Sequence, residues 1–324
     1  MAGAMTKTTI ALAAMLCALP ASAASPGKYA GKKILFIDSY HAGYDWSDGI
    51  IDGVQTVLKG TGADLKIVHM DTKRNPAEPA KQQAAKKVKQ EIEAYAPDVV
   101  IACDDNASKY VIMPFYKDAK LPVVFCGLNW TASGYGYPYQ NATGMIEVSL
   151  VQPLIDNLRH YSKGKRIAFL APDNETERKE AEFYKKFFKA DLVAESFAKT
   201  FADWKQAYKK LQGQADILIM TNNAGLNDWN DKEAESFILE NTQIPSGTSH
   251  DFMAPFSMIA IAKVPQEQGI WSTKTALQIL DGTSPTKIPI AENKQGTTFL
   301  NVKIATKLGV TFKPALMKGA KIIK

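Results

Sequence analysis

Lys33-Ile-Leu-Phe-Ile-Asp-Ser-Tyr-His-Ala-Gly-Tyr-Asp-Trp-Ser-Asp48 decides the fold. Ile34 to Ile37 is an unbroken apolar run of strand length, the pattern of a parallel strand covered on both faces, and it stops abruptly at Asp38. Asp45 has the character of a helix N-cap, with Asp48 inside the first turn. Ile50, Ile51, Val54, Val57 and Leu58 then recur at helical spacing up to Gly60. The stretch therefore reads strand, aromatic loop, helix. The loop from Ser39 to Tyr44 lies at the carboxyl end of a strand, where open α/β sheets bind ligands.

The same grammar repeats outward from this unit. Strand patterns at Ala63–Met70, Asp98–Ala102 and Pro122–Cys126 alternate with helices, which implies a parallel, doubly wound sheet. After a Tyr- and Gly-rich loop, Asn141–Glu147 reads as a strand leading elsewhere, and the alternation restarts. Strands at Arg166–Leu170, Leu192–Phe197 and Asp216–Met220 alternate with helices around Glu175–Ala190, Trp204–Leu211 and Asp231–Asn241. Ser257–Ala262 and Thr297–Val302 are strand-like, and Pro265–Leu280 is helical. At 324 residues the chain exceeds the usual size of one hydrophobic core. The expectation is an α/β protein of two Rossmann-like lobes with parallel sheets, crossed three times by the chain near 144, 256 and 292. That division gives residues 25–144 with 256–292 to one lobe and 145–255 with 293–324 to the other.

Residues 1–24 differ in kind: one Lys, an apolar run from Ile10 to Leu19, Pro20-Ala-Ser-Ala-Ala24, and no acidic residue. They read as a secretory leader cleaved near Ala23 or Ala24, which places the mature chain in the periplasm. Cys103 and Cys126 then remain, each at the end of an apolar run. They are either buried thiols or a bridge, which the compartment permits but neighbouring parallel strands make awkward. The net charge of +6 is dispersed along helix faces beside Glu and Asp, which argues against nucleic-acid binding.

Polar and aromatic residues at strand ends are the candidate ligand contacts. From the first half these are Ser39, Tyr40, His41, Tyr44, Trp46, Asp104, Asp105, Asn106 and Asn129; from the second, Asp173, Asn174, Asn222, Asn223, Trp229, His250 and Asp251. Each has a plainer reading. Asp45, Asp105 and Asp173 serve equally as helix caps, Asn222 and Asn223 as turn formers, and Trp46 and Trp229 as packing under loops. Tyr40, Tyr44 and Trp46 offer flat faces to an apolar or cationic body. Helix N-termini behind the loops suit a carboxylate, and Asp104 and Asp105 suit an amine. Together these favour a zwitterion such as an aromatic amino acid. Ser39, His41 and Asp38 lie too close along one loop to suggest a catalytic triad, and no Gly-x-Ser-x-Gly elbow or Gly-rich phosphate loop is present. No catalytic residue and no cofactor is expected. His41, His250 and Asp251 form a metal set only if they meet across a cleft, and a metal site is not expected.

Pro122-Val-Val-Phe, Asn141-Ala-Thr-Gly144, Gly269 opening a helix that ends Ile279-Leu-Asp-Gly282, Pro285, Ile288-Pro289, Asn301, Ala305, Leu308-Gly309 and Ala315-Leu316 follow one another in an order that resembles a known family. This is the periplasmic substrate-binding proteins of the uncharacterised ABC transport system family. The resemblance implies a type I periplasmic-binding architecture, in which a small molecule is enclosed between hinged lobes and passed to an ABC transporter permease. Relatives often hold amino acids, aromatic ones included. The chain departs from the family pattern at Asp104-Asp-Asn106 and at Leu128-Asn129, which points to a different ligand polarity. Ser39–Trp46 also resembles extracytoplasmic sensor regions. The alternative is therefore a sensor that signals to a membrane histidine kinase, although no kinase part follows here. A monomer is expected.

Overall fold

The computed structural model describes residues 27–188, 192–226 and 228–324, so the leader read at residues 1–24 lies outside the described residues. In chain order the strands are β1 Lys33–Asp38, β2 Asp64–His69, β3 Val99–Cys103, β4 Val123–Asn129, β5 Ala142–Glu147, β6 Ile167–Pro172 and β7 Leu192–Ala198. They continue with β8 Ile217–Met220, β9 Ser246–Thr248, β10 Ile259–Lys263, β11 Ala291–Glu292, β12 Gly296–Asn301 and β13 Lys321–Ile323. They form two sheets, ordered β11-β5-β4-β3-β1-β2 and β13-β12-β10-β9-β8-β6-β7. The run β2-β1-β3-β4-β5 in the first is matched by β7-β6-β8-β9-β10 in the second, so the halves share one winding order. All pairs are parallel except β10 with β12.

The unbroken apolar runs have the cause read from the sequence. Ile34 and Phe36 pack with Val99, Ile101 and Val124 on one face of the first sheet, while Leu35 and Ile37 pack with Val100, Ala102 and Phe125 on the other. Both faces are covered, so neither tolerates a polar alternation. In the second lobe Phe169, Tyr184, Trp204 and Tyr208 anchor one large cluster. Cys103 and Cys126 stand opposite each other in the β3–β4 register as free, buried thiols.

Several expectations change. Asn141–Glu147 does not lead elsewhere; it is β5, parallel to β4 in the first sheet. The second crossing does not fall near 256, because β10 pairs with β9 and β12 in the second sheet and only the following helix, Pro265–Leu280, returns to the first lobe. The first sheet keeps β5 to Glu147 and β11 to Glu292, and β12 begins the last pass at Gly296. A short helix, Pro314–Met317, and β13 complete the second sheet's edge where the sequence carried no clear pattern. Asp45 is not the cap of its helix. The helix Asp45–Leu58 has Tyr44 at the N-cap without a side-chain bond, and Asp48 reaches back to accept from the Gly43 N–H at 2.9 and 3.1 Å.

The returning helix Pro265–Leu280 lies directly on Asp45–Leu58. A Cβ at Gly269 would run into the Ile50 carbonyl, and one at Gly53 into the Gln266 carbonyl, so the two backbones meet with no side chain between them. This contact seats the helix that follows Lys263. Gly269→Ala is therefore expected to cost about 1–3 kcal/mol of stability through forced separation of the helices, measured by chemical denaturation. A neutral result would show that the contact is not tight.

Candidate functional site

Between the two sheets runs a cleft of about 780 Å³. The first lobe lines it with Tyr40, Tyr44, Trp46, Lys73, Asp104, Asn129, Trp130 and Glu147, and the second with Ser149, Glu177, Glu180, Asn222, Ser249, His250, Asp251, Phe252 and Lys263. Asp45, Ala224, Ala262, Val264, Pro265, Gln266, Thr297, Phe299 and Lys321 complete its wall.

The loop after β1 is held from below. The carboxylate of Asp38, fully buried, accepts from Ser47 Oγ at 2.7 Å and from the Tyr40 N–H at 3.1 Å, and faces His69 Nδ1 at 2.7 Å. These bonds tie the end of β1 to the following helix and to β2, and leave Tyr40 and Tyr44 to face the cleft. Their rings meet edge to face at 5.3 Å, with the Lys73 ammonium 3.8 Å from the Tyr44 ring centre and 5.1 Å from that of Tyr40. Trp46 donates Nε1–H to Asp104 Oδ1 at 3.3 Å and lies 5.5 Å from the Lys263 ammonium.

Asp104 opens a helix with a left-handed φ of 66° and is almost fully buried. Space for its carboxyl exists only because its neighbour is Gly127, where a Cβ would sit 2.8 Å from Asp104 Oδ1. Gly127 also carries a φ of 69° and lies where the β4–β5 register slips, between Phe125 and Leu128; just beyond the slip, Asn129 lines the cleft. Burial, together with the charges of Glu147, Asp38 and Asp105, holds the Asp104 carboxyl well above the usual carboxylate range.

Glu147 ends β5 and Lys263 ends β10, and the two form an ion pair across the lobe junction. Burial works against the Lys263 ammonium, but Glu147, with help from Glu180 and Asp104, outweighs it and keeps the lysine charged. Burial also raises Glu147, and the pull of Lys263 does not fully offset it. On the second lobe Glu180 accepts from Trp130 Nε1 and Ser149 Oγ, each at 2.8 Å. Glu177 accepts from Asn222 Nδ2 through Oε1, is raised chiefly by burial, and leaves Oε2 buried without a hydrogen-bond partner. The Thr221 hydroxyl beside it is outside bonding geometry and equally unpaired. Burial, reinforced by the charge of Lys263, lowers His250 to about 3, so its imidazole is neutral.

Of the residues singled out in the sequence, Tyr40, Tyr44, Trp46, Asp104, Asn129, Asn222, His250 and Asp251 line the cleft. The others do not. Ser39 is wholly buried, donating to the Cys103 carbonyl at 2.6 Å and accepting from the Ala107 N–H at 2.8 Å, and so joins β1 to β3. The His41 ring turns to its neighbour's carbonyl, Ala42 O, at 3.0 Å. Asp105 accepts from Asn129 and Tyr135, and Asn106 donates to Thr72. Asp173 is paired with Arg178, and Asn174 caps the following helix by accepting from the Glu177 N–H at 3.0 Å. Asn223 closes a turn to Leu226. Trp229 packs among Phe201, Trp204 and Phe256 in the second core. Among the described residues no group of three or more His, Cys, Asp or Glu is arranged to hold a metal ion.

The sequence profile of the family described as ABC transporter substrate binding protein matches residues 41–324. The chain belongs to this family. Its fold is similar to that of the ligand-free, open form of CD0873, a substrate-binding protein with adhesive properties from Clostridium difficile. The two are 16% identical with a TM-score of 0.70, and the match covers 90% of this chain and 99% of that one. It is also similar to the ABC domain in complex with L-Trp from Streptococcus pneumonia, at 18% identity and a TM-score of 0.56 over 91% and 100% of the chains. A solute-binding protein from Agrobacterium vitis bound with alpha-D-tagatopyranose matches at 14% identity and a TM-score of 0.53, over 90% and 99%. At these identities the likeness shows the two-lobe α/β fold. No curated protein matches the chain. Substrate-binding proteins of this family act outside the cytoplasmic membrane, each serving an ABC transporter with a small-molecule ligand, and they are binding proteins rather than enzymes. No helix among the described residues of this binding protein is long and apolar enough to cross a membrane.

The raised Asp104 carboxyl sets the sign of a pH effect. A group with its folded value above its unfolded one contributes stability below the unfolded value, near 4, and loses it as pH rises toward the folded value. Asp104→Asn keeps an acceptor for Trp46 and tolerates the left-handed backbone. It is expected to raise the melting temperature of the empty protein at pH 7, with the gain disappearing below about pH 4. An Asn variant less stable than the parent at pH 7 would show that the ionised carboxylate is needed for the fold.

Proposed function

We propose that this chain is the solute-capturing component of an ABC importer. It would work in the periplasm as a monomer freed of its leader, closing its lobes on a small molecule that joins an ammonium group to a flat or apolar body. The observation that carries the reading is the lining of the cleft. Buried carboxyl groups from both lobes converge on it, and Tyr40, Tyr44, Trp46, Trp130 and Phe252 surround them. Carboxylates recognise an amine, and aromatic faces cover an apolar or cationic body. Amino acids, aromatic ones first, are members of that class. Closure of two lobes about short crossings is the hinge motion this architecture permits.

A thermal-shift screen with amino acids, amines, sugars, purines and small peptides tests the reading, since a ligand that binds only the native state raises the melting temperature. At least one amine-bearing solute is expected to do so. A flat response across the whole screen would sink the capture reading. Trp46→Ala should weaken that solute's affinity by about tenfold or more while leaving the far-ultraviolet circular dichroism unchanged. Undiminished binding would take the aromatic loop out of the site.

A further inference from the structure

Acidic side chains outnumber basic ones in the cleft. Asp104, Glu147, Glu177 and Glu180 line its inner wall from both lobes, and among the described residues Lys263 is the basic side chain whose ammonium Glu147, Glu180 and Asp104 hold charged. Lys263 is already engaged by Glu147. The other lysines of the lining have partners other than these acids. Lys73 sits on the tyrosine rings, donating to the Tyr44 hydroxyl, and Lys321 rests 5.2 Å from the ring centre of Phe299 on the exposed edge strand. His250 is neutral.

Acids and amides of the chain itself crowd the helix starts that border the cleft. Asp48 covers the Gly43 N–H just before the helix Asp45–Leu58, Asp104 and Asp105 stand in the first turn of the helix Asp104–Ala107, and Asn174 caps the helix that carries Glu177 and Glu180. An acidic cluster alone would say little. Glu177 adds the second observation: it is 4% exposed, it faces the cleft, and Oε2 has no partner within bonding geometry, although the Thr221 hydroxyl is beside the carboxyl. A buried carboxylate oxygen without a donor is costly, and its natural complement is an N–H from the solute.

We propose that the ligand is a net cation, an organic amine whose positive charge is not cancelled by a carboxylate of its own, with its ammonium donating to Glu177 Oε2. The proposal rests on the capture reading above and narrows it. Closure strips water from the inner carboxyl groups, and a lobe closing on a neutral or anionic solute would enclose them with Lys263, already paired with Glu147, as the basic group beside them. A cation favours their ionised form and is their electrostatic complement, so charge selects the solute and favours the closing.

The test uses sets of solutes that share a body and differ in charge: tryptamine, tryptophan and 3-indolepropionate; tyramine, tyrosine and 3-(4-hydroxyphenyl)propionate; agmatine and arginine; cadaverine and lysine. Dissociation constants are measured by calorimetry on the full mature chain at pH 7.5. In the set that binds, the member with more net positive charge is expected to bind at least about tenfold tighter than its carboxylate-bearing counterpart, the scale of one charge-assisted hydrogen bond. A carboxylate-bearing member binding equally or more tightly overturns the proposal and leaves the capture reading standing. So does a screen in which only sugars or acids shift the melting temperature. A screen with no binder removes both. Glu177→Gln keeps the acceptor for Asn222, and its fold is checked by near-ultraviolet circular dichroism. It should bring the within-set affinity ratio toward one; a ratio unchanged from the parent's would show that Glu177 does not read the charge.

Discussion

One lysine held among several carboxyl groups at the lobe junction is the constraint on which the rest turns. Lys263 ends β10 of the second sheet and Glu147 ends β5 of the first, so their ion pair spans the place where the chain changes lobes. Glu147 is buried and the Lys263 side chain keeps only 17% exposure, so each charge is tolerable largely because the other is there. Asp104 and Glu180 approach the same ammonium from opposite lobes. Charge therefore registers one lobe against the other at the point where the backbone leaves most freedom.

The winding order explains why the charges meet there. β2-β1-β3-β4-β5 and β7-β6-β8-β9-β10 place β5 and β10 at equivalent positions of the two sheets, and each ends in a charged residue at its carboxyl end. The helix Pro265–Leu280 begins directly after Lys263 and is fixed on the first lobe by the glycine contacts at Gly53 and Gly269. It also sends Gln268 to accept from the Gly127 N–H at 3.1 Å and to donate to the Ile146 carbonyl at 3.3 Å. A helix of the first lobe thus holds the bulge that makes room for Asp104, and holds the strand that ends in Glu147.

Much of the fold was legible because each parallel strand is buried on both faces and ends sharply in polar residues, as β1 does between Ile37 and Asp38. The tips of those strands likewise gave Tyr40, Trp46, Asp104, Asn222 and His250 to the cleft. What failed had local causes. β10 was assigned to the wrong sheet because an apolar run carries no mark of which neighbour it pairs with. Glu147 and Lys263 looked like ordinary charged strand ends, since a pair 116 residues apart leaves no local trace. Glu177 and Glu180 sat in a helix rich in charge that reads as a solvated face; their spacing of three, which puts both on one side, was the available signal. Trp229 lies past a strand end like the true lining residues, yet the ring cluster of Phe201, Trp204 and Phe256 takes it inward. Asp173 and Asn174 were spent on Arg178 and on a helix cap.

Trp130 connects the charge at the junction to the movement of the lobes. Its backbone belongs to the first lobe, bonded to the Glu147 carbonyl at 2.9 Å, and takes a left-handed φ of 63° that a bulky side chain seldom adopts. Its indole is buried in the second lobe's core, stacked on Phe183 at 5.3 Å, and Nε1 donates to Glu180. Glu180 is held in turn by Ser149, on the segment that enters the second lobe. The acid is therefore tied to a residue carried by the other lobe and to the crossing itself. A rotation of the lobes that keeps these bonds must carry Glu180 and its helix neighbour Glu177, together with Lys263 of the same lobe, relative to Asp104 and Glu147 of the first lobe. The electrostatic field inside the cleft and the angle between the lobes are in this way two readings of one coordinate, and a solute that alters the first shifts the balance of the second.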